Sequence, residues 1–294
     1  MDETFRIFAA IATAIALEAM PFLALGALLS AVIEVFVSPA RLARVVPRSA
    51  AGQIALGLSA GLVVPTCECG VVPVARRLLT KDVPGPTVVA YLLSAPILNP
   101  VVLVSTFVAF RGSWTMVGAR AAVAVVVAGT VAVLVRRLPR KDLVRESAAA
   151  NHEDAHAHDM PGNRLLAVWR HAAIDFLEMG KYLILGALAA AAFKTFVPPA
   201  VVSLFEGNLV LSILGMMALA ILLSVCSEAD AFVAASFVTF PAAAHLAFVS
   251  IGPMVDIKLI GLYAATFRRR LFVLLLAVPI VLVFLLSLLF GVLS

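Results

Sequence analysis

The stretch Pro65-Thr66-Cys67-Glu68-Cys69-Gly70 stands in the middle of an otherwise apolar region, 51–80, and its reading decides the fold. Proline, two thiols, a carboxylate and glycine in succession break a helix halfway along. Backbone broken at that depth is stable in a bilayer only where it is buried in protein or lines a wet cavity. A second interruption of the same kind, Ser224-Val225-Cys226-Ser227-Glu228-Ala229-Asp230, divides region 208–240. Around these two regions lie six uninterrupted apolar runs, 7–37, 87–110, 114–135, 168–197, 243–267 and 271–293. Each is long enough to cross the hydrocarbon, which takes about 20 residues.

Composition agrees with a membrane chain. Of 294 residues, 63% are hydrophobic and 13% charged, and the mean hydropathy is +1.09. Soluble chains run at about 45–50% apolar and about 25% charged, so a soluble core is excluded and an all-α polytopic membrane protein with lipid as its surroundings is expected. The net charge of +5 does not indicate a nucleic-acid partner, because the basic residues lie between apolar runs, where cytoplasmic loops keep them. Three cysteines in apolar sequence cannot build an extracellular disulfide framework. Asp2 and Glu3 replace the basic start of a signal peptide, so no cleaved leader is expected. The chain has no P-loop, no H-E-x-x-H and no G-x-S-x-G, so neither an enzyme nor a cofactor is expected.

The chain repeats itself. Shifted by 160 residues, the run from Glu18 to Pro39 matches Glu178 to Pro199 at ten of 22 positions, with Leu25-Gly26-Ala27-Leu28 over Leu185-Gly186-Ala187-Leu188. Nearby offsets lay Cys67 over Cys226, and Ala95-Pro96-Ile97-Leu98-Asn99 over Gly252-Pro253-Met254-Val255-Asp256. Duplicated halves are common in transporters. If all eight apolar regions crossed fully, the clusters Arg41/Arg44/Arg48 and Arg136/Arg137/Arg140/Lys141/Arg145 would fall on opposite sides, against the positive-inside rule. If the two broken regions re-enter, a start outside puts both clusters, with Arg76/Arg77/Lys81 and Arg268/Arg269/Arg270, in the cytoplasm; Arg111 is the main exception. The expected architecture is two inverted repeats, each of three transmembrane helices plus one broken, re-entrant helical hairpin. Residues 1–137 form the first repeat and 166–294 the second, joined by a cytoplasmic linker at 138–165 that contains His152, His156 and His158.

An acid at the centre of a span costs about 2.5–3.5 kcal/mol on insertion scales and marks function by default. Inverted repeats bring the two breaks together at the midplane, where transporter sites lie. Cys67, Glu68, Cys69 and Cys226 are therefore the candidate substrate residues, with Asn99. The three thiols are candidate metal ligands, because thiolates prefer soft partners. Asp256, Glu228 and Asp230 are candidate proton-coupling groups, with Lys258 a counter-charge. Pro96, Pro100 and Pro253 break helices and free carbonyls one turn back, and together with Glu18 and Glu178 they are expected to act in gating or packing. Glu34 and Lys194 occupy equivalent places near helix ends, where long side chains reach for the interface.

These motifs carry a resemblance. Residues 65–73, 93–100, 226–237 and 252–258 resemble the predicted permease family that includes ArsP-type organoarsenical efflux permeases and YraQ-type membrane proteins. The resemblance covers nearly the whole chain and implies an inner-membrane permease. Its arsenical branch implies export of trivalent arsenicals through cysteine thiols. Where family members more often carry serine between the two thiols, this chain has Glu68, which favours a cationic or metal-like cargo. The expected function is secondary transport of a thiophilic species, a trivalent organoarsenical or a soft metal ion, with proton coupling and with homo-oligomerisation left open. The alternative from another class is a transmembrane thiol–disulfide oxidoreductase or electron carrier.

Overall fold

A computed structural model describes residues 2–36, 46–64, 66–139, 142–145, 164–196 and 208–293. Among them twelve helices form two sets of six. The first set is α1 (Asp2–Phe36), α2 (Ala50–Val63), α3 (Glu68–Thr80), α4 (Gly85–Leu98), α5 (Pro100–Ala109) and α6 (Trp114–Val135). The second is α7 (Arg164–Phe196), α8 (Leu209–Leu223), α9 (Asp230–Ser236), α10 (Ala242–Ile251), α11 (Ile257–Thr266) and α12 (Arg269–Leu293). Both expected breaks are present, between α2 and α3 and between α8 and α9. The expected proline-broken segments separate α4 from α5 and α10 from α11.

Each interruption has a local cause. Asn99 caps α5 by accepting from Val101 N–H at 2.9 Å, and Asp256 caps α11 by accepting from Leu259 N–H at 2.6 Å. These two residues, matched in the repeat, do the same structural work. Pro100 is the first residue of α5, where a missing N–H costs nothing. Ser224 ends α8 in the left-handed region at φ 49°, and its hydroxyl accepts from Ile257 N–H, which ties that tip to the start of α11.

Four segments among the described residues are long and apolar enough to cross a membrane: Glu3–Phe36, Gly85–Ala109, Trp114–Val135 and Arg269–Leu293. Six were expected. The region 243–267 is instead split into two ten-residue helices, and α7, although 33 residues long, is interrupted by Asp175, Glu178 and Lys181.

The two broken regions are hairpins that open to opposite ends of the molecule. Helix α2 runs parallel to α4, with Gly57 against Thr87 and Ala90, and Gly61 against Ser94 and Ala95. Gln53 at the start of α2 lines one pocket with Asp82, Pro84, Val135 and Arg136, so the hairpin begins and ends where α6 finishes. Its tip lies beside α4, where the Thr66 and Tyr91 hydroxyls are 3.1 Å apart. In the second set Leu209 and Ala243, the starts of α8 and α10, both lie against Gly291 near the end of α12. Helices α1 and α7 pack antiparallel, Ile15 beside Ala187 and Ala190, and Ala31 beside Val168 and Ala172. A side chain at Gly26 would run into the backbone of Gly70, so α1 reaches the first tip only because glycine stands at that position.

Basic residues gather at the end where the first hairpin opens. Arg136 lines the pocket there, Arg268 N–H donates to the Leu143 carbonyl, Arg145 N–H donates to the Thr266 carbonyl, and Arg270 pairs with Asp142 at 2.7 Å. Residues 142–145 of the expected linker are thus strapped to the α11–α12 joint by a bridge between Val144 and Phe267. The histidine-rich part of the linker, with Arg41, Arg44, Pro39, Pro65, Arg140, Lys141 and Pro199, lies outside the described residues.

Candidate functional site between the hairpin tips

The two tips meet. Glu68 opens α3 and is 1% exposed; Ser227 of the other tip donates to its Oε2 at 3.0 Å. Lys258, in the first turn of α11, places its Nζ 3.6 Å from Glu68 Oε1 and 3.5 Å from Asp256 Oδ2. The Cys226 thiol donates to Glu228 Oε2 at 2.9 Å. Cys67 occupies the N-cap position of α3 and Cys69 follows Glu68; all three cysteines are free and buried. Two carboxylates, Glu68 and Asp256, therefore flank one ammonium, a formal excess of one negative charge, and Glu228 lies beside them, against Cys226 and Ser227. Buried negative charge of this kind is costly unless it is compensated.

Two further ionic clusters flank it. Arg120 of α6 is fully buried and donates to Asp230 Oδ2 and to Thr106 Oγ1, each at 2.6 Å, which joins the returning arm of the second hairpin to the first set of helices. At the opposite end, Arg76 of α3 reaches Asp175 at 2.7 Å and Glu178 at 2.9 Å on α7. Arg77 bridges Asp175 and Glu34 at 3.3 and 3.4 Å, Lys81 pairs with Glu34 at 3.4 Å, and Ser30 donates to Asp175 at 2.8 Å. Each hairpin's returning arm is anchored by buried charge to the other half.

This geometry sorts the residues expected from sequence. Cys67, Glu68, Cys69, Cys226, Glu228, Asp256 and Lys258 lie at or beside the meeting tips. Asn99 is a buried cap, Pro96 is buried inside α4, and Pro253 is buried in the turn before Asp256. Asp230 is committed to Arg120. Glu18 and Glu178 are not equivalent: Glu18 is exposed at the middle of α1, whereas Glu178 is half-buried and paired. Among the described residues no three His, Cys, Asp or Glu are gathered closely enough to hold a metal ion together, so the three thiols are not drawn into one ready-made ligand set. Cys226 bonds to its own neighbour, and the tips touch through Ser227 and Glu68 instead of through sulfur. Arg76 and Arg77, read as loop charges, are buried and paired. Arg120, Asp175 and Ser227 were missed, although the rule that flagged Asp230 applies equally to Arg120 and Asp175.

A model of the family described as predicted permease matches residues 4–292. The chain belongs to that permease family. Two curated relatives agree with it. The UPF0718 protein YcgR of Bacillus subtilis is 40% identical over 274 residues, covering 92% of each chain. A Streptococcus mutans protein, named as a candidate subunit of a two-component membrane permease complex, is 38% identical over 262 residues, covering 89% of this chain and 87% of its own. No solved structure matches. With its apolar helices, the permease is a multi-pass membrane protein with buried polar groups at the hairpin tips and in the ionic clusters on either side of them.

Proposed function

We propose that this permease is a secondary transporter of the inner membrane, carrying a thiophilic cation through the centre formed by Cys67, Glu68, Cys69 and Cys226. The observation that carries this reading is the meeting of the two tips at Glu68, Ser227 and Lys258, with every thiol of the chain buried around a surplus of carboxylates. A soft metal ion fits that donor set better than a neutral trivalent organoarsenical, because the carboxylates need a positive charge.

The matching order of six and six helices, the antiparallel α1–α7 pair and the opposite openings of the hairpins support two inverted repeats. The gathering of arginines at one end supports a cytoplasmic placement of that end and an outside N-terminus. Alternating access then consists of the hairpin arms loosening in turn, the Arg76 cluster guarding one end and the Arg120–Asp230 pair the other. Protons taken up by Asp256 and Glu228 as cargo leaves keep the centre compensated. The Streptococcus mutans relative's name supports a second component, and the exposed Glu18 and Lys181 at the middles of α1 and α7 mark a face for such a partner.

Asp256→Asn tests the coupling role. Asparagine is as good a cap as aspartate, so the variant should keep its thermal midpoint while pH-driven flux in proteoliposomes falls by about tenfold or more, a change of about 1.4 kcal/mol in barrier. Normal pH-driven flux in a folded Asp256→Asn protein would remove Asp256 from the mechanism.

A further inference from the structure

We infer that the carboxylate pair Glu68–Asp256 is a divalent-cation seat, filled in this state by the protein's own Lys258 ammonium, which cargo must displace. The inference deepens the permease reading and rests on it.

Three observations carry it. Glu68 Oε1 and Asp256 Oδ2 are buried oxygens without a hydrogen-bond partner, and both point at Lys258 Nζ, at 3.6 and 3.5 Å. Charge-assisted N–H···O bonds close to about 2.7–2.9 Å, so the ammonium is held by charge between the two oxygens without the short bonds that would lock it there. Each carboxylate is otherwise fixed by its second oxygen, Glu68 through Ser227 and Asp256 through the Leu259 N–H. Two oxygens are thereby left facing one central position. Finally, α7 approaches Lys258 at backbone distance, since a side chain on Gly186 would meet its Cα at 2.7 Å, while its ammonium lies between the two carboxylates.

An incoming divalent cation would bring the second positive charge that this centre lacks, and would free the ammonium. Because the two carboxylates come from different halves, one at the first tip and one at the cap of α11, their shared cation holds the halves together. Exchange between tethered and free cation is then a step at which cargo occupancy alters the contact between halves, as a ligand shifts a conformational equilibrium only through differential affinity. Lys258 acts as a built-in competitor that weakens binding and allows release.

The test titrates purified full-length protein with Mn²⁺, a cation that prefers oxygen ligands to thiolates, and measures Zn²⁺ flux in proteoliposomes in parallel. Lys258→Gln should bind Mn²⁺ about tenfold or more tighter than wild type, as removal of a close competing charge implies, while its Zn²⁺ flux falls because release is slowed. Adding Glu68→Gln to that variant should abolish the gain. Lys258→Arg, which keeps the charge and fold but grips carboxylates through a fork, should bind Mn²⁺ more weakly than wild type. A folded Lys258→Gln protein with no gain in Mn²⁺ affinity overturns the inference. If that variant does not fold, an Arg variant that binds like wild type overturns it. Gain of Mn²⁺ binding without any thiol-dependent Zn²⁺ flux in wild type would keep the seat and refute the thiophilic-cargo reading.

Discussion

Asp230→Leu is expected to lower the stability of the detergent-solubilised permease by about 3–5 kcal/mol, the cost of stranding one partner of a buried ion pair. Arg120 is fully buried in α6 and its other guanidinium contact is the neutral Thr106 hydroxyl, so among the described residues Asp230 alone pairs with it directly. The double variant Arg120→Leu/Asp230→Leu should recover most of that loss, because replacing a buried pair with apolar groups is often neutral or stabilising by about 1–4 kcal/mol. Thermal unfolding followed by intrinsic fluorescence reads both variants. If the pair also holds the second hairpin's arm to the first half during transport, the recovered double variant folds but transports poorly. Equal stability of Asp230→Leu and wild type would show that the pair is not formed.

Arg76→Ala should have an effect of similar size at the other end. Its guanidinium joins α3 to two carboxylates of α7, at 2.7 and 2.9 Å, and removing it leaves Glu178 and one face of Asp175 without their cation. Arg77 remains within 3.3 Å of Asp175 and softens the loss, so a destabilisation toward the lower end of about 3 kcal/mol is expected. Arg76→Lys should restore only part of it, because an ammonium is a point donor and cannot span two carboxylates as a planar fork does. Complete rescue by lysine would contradict the two-carboxylate geometry. Limited proteolysis provides a second readout: with α3 released from α7, the turn at Lys81 and Asp82 should be cut faster.

Much of this fold could be read from the sequence because the bilayer constrains so few alternatives. Polar clusters inside apolar runs have only one cheap location, the protein interior, and 66–70 and 224–230 are buried or half-buried there. Gly26 and Gly186, which the 160-residue shift aligns, both meet other elements at backbone distance, Gly26 against Gly70 and Gly186 against Lys258. What sequence could not supply was pairing. The neighbours of Arg76 lie 99 and 102 residues away, and that of Arg120 lies 110 away, separations that no local pattern encodes. Arg76 and Arg77 follow an apolar stretch and look like interfacial charges until Asp175 and Glu178 are seen opposite. Glu18 and Glu178 show the limit of the repeat, since equal positions in two halves acquire unequal surroundings once only one of them faces an arginine. The three sulfur atoms are buried at the tips, and among the described residues they are not gathered with other ligands into one metal-holding group.

Cargo is expected to pass through the thiol and carboxylate centre between the tips. The most direct test is flux into proteoliposomes of Zn²⁺, Cu⁺, phenylarsenite and methylarsenite, comparing wild type with Cys67→Ser, Cys69→Ser and Cys226→Ser, each shown to be folded. Flux of a cationic species in wild type is expected to fall by about a hundredfold in the serine variants, as loss of a soft ligand from a metal-like site implies. Flux that is indifferent to all three substitutions would contradict it and would leave the cysteines as packing groups in a permease whose cargo is recognised elsewhere.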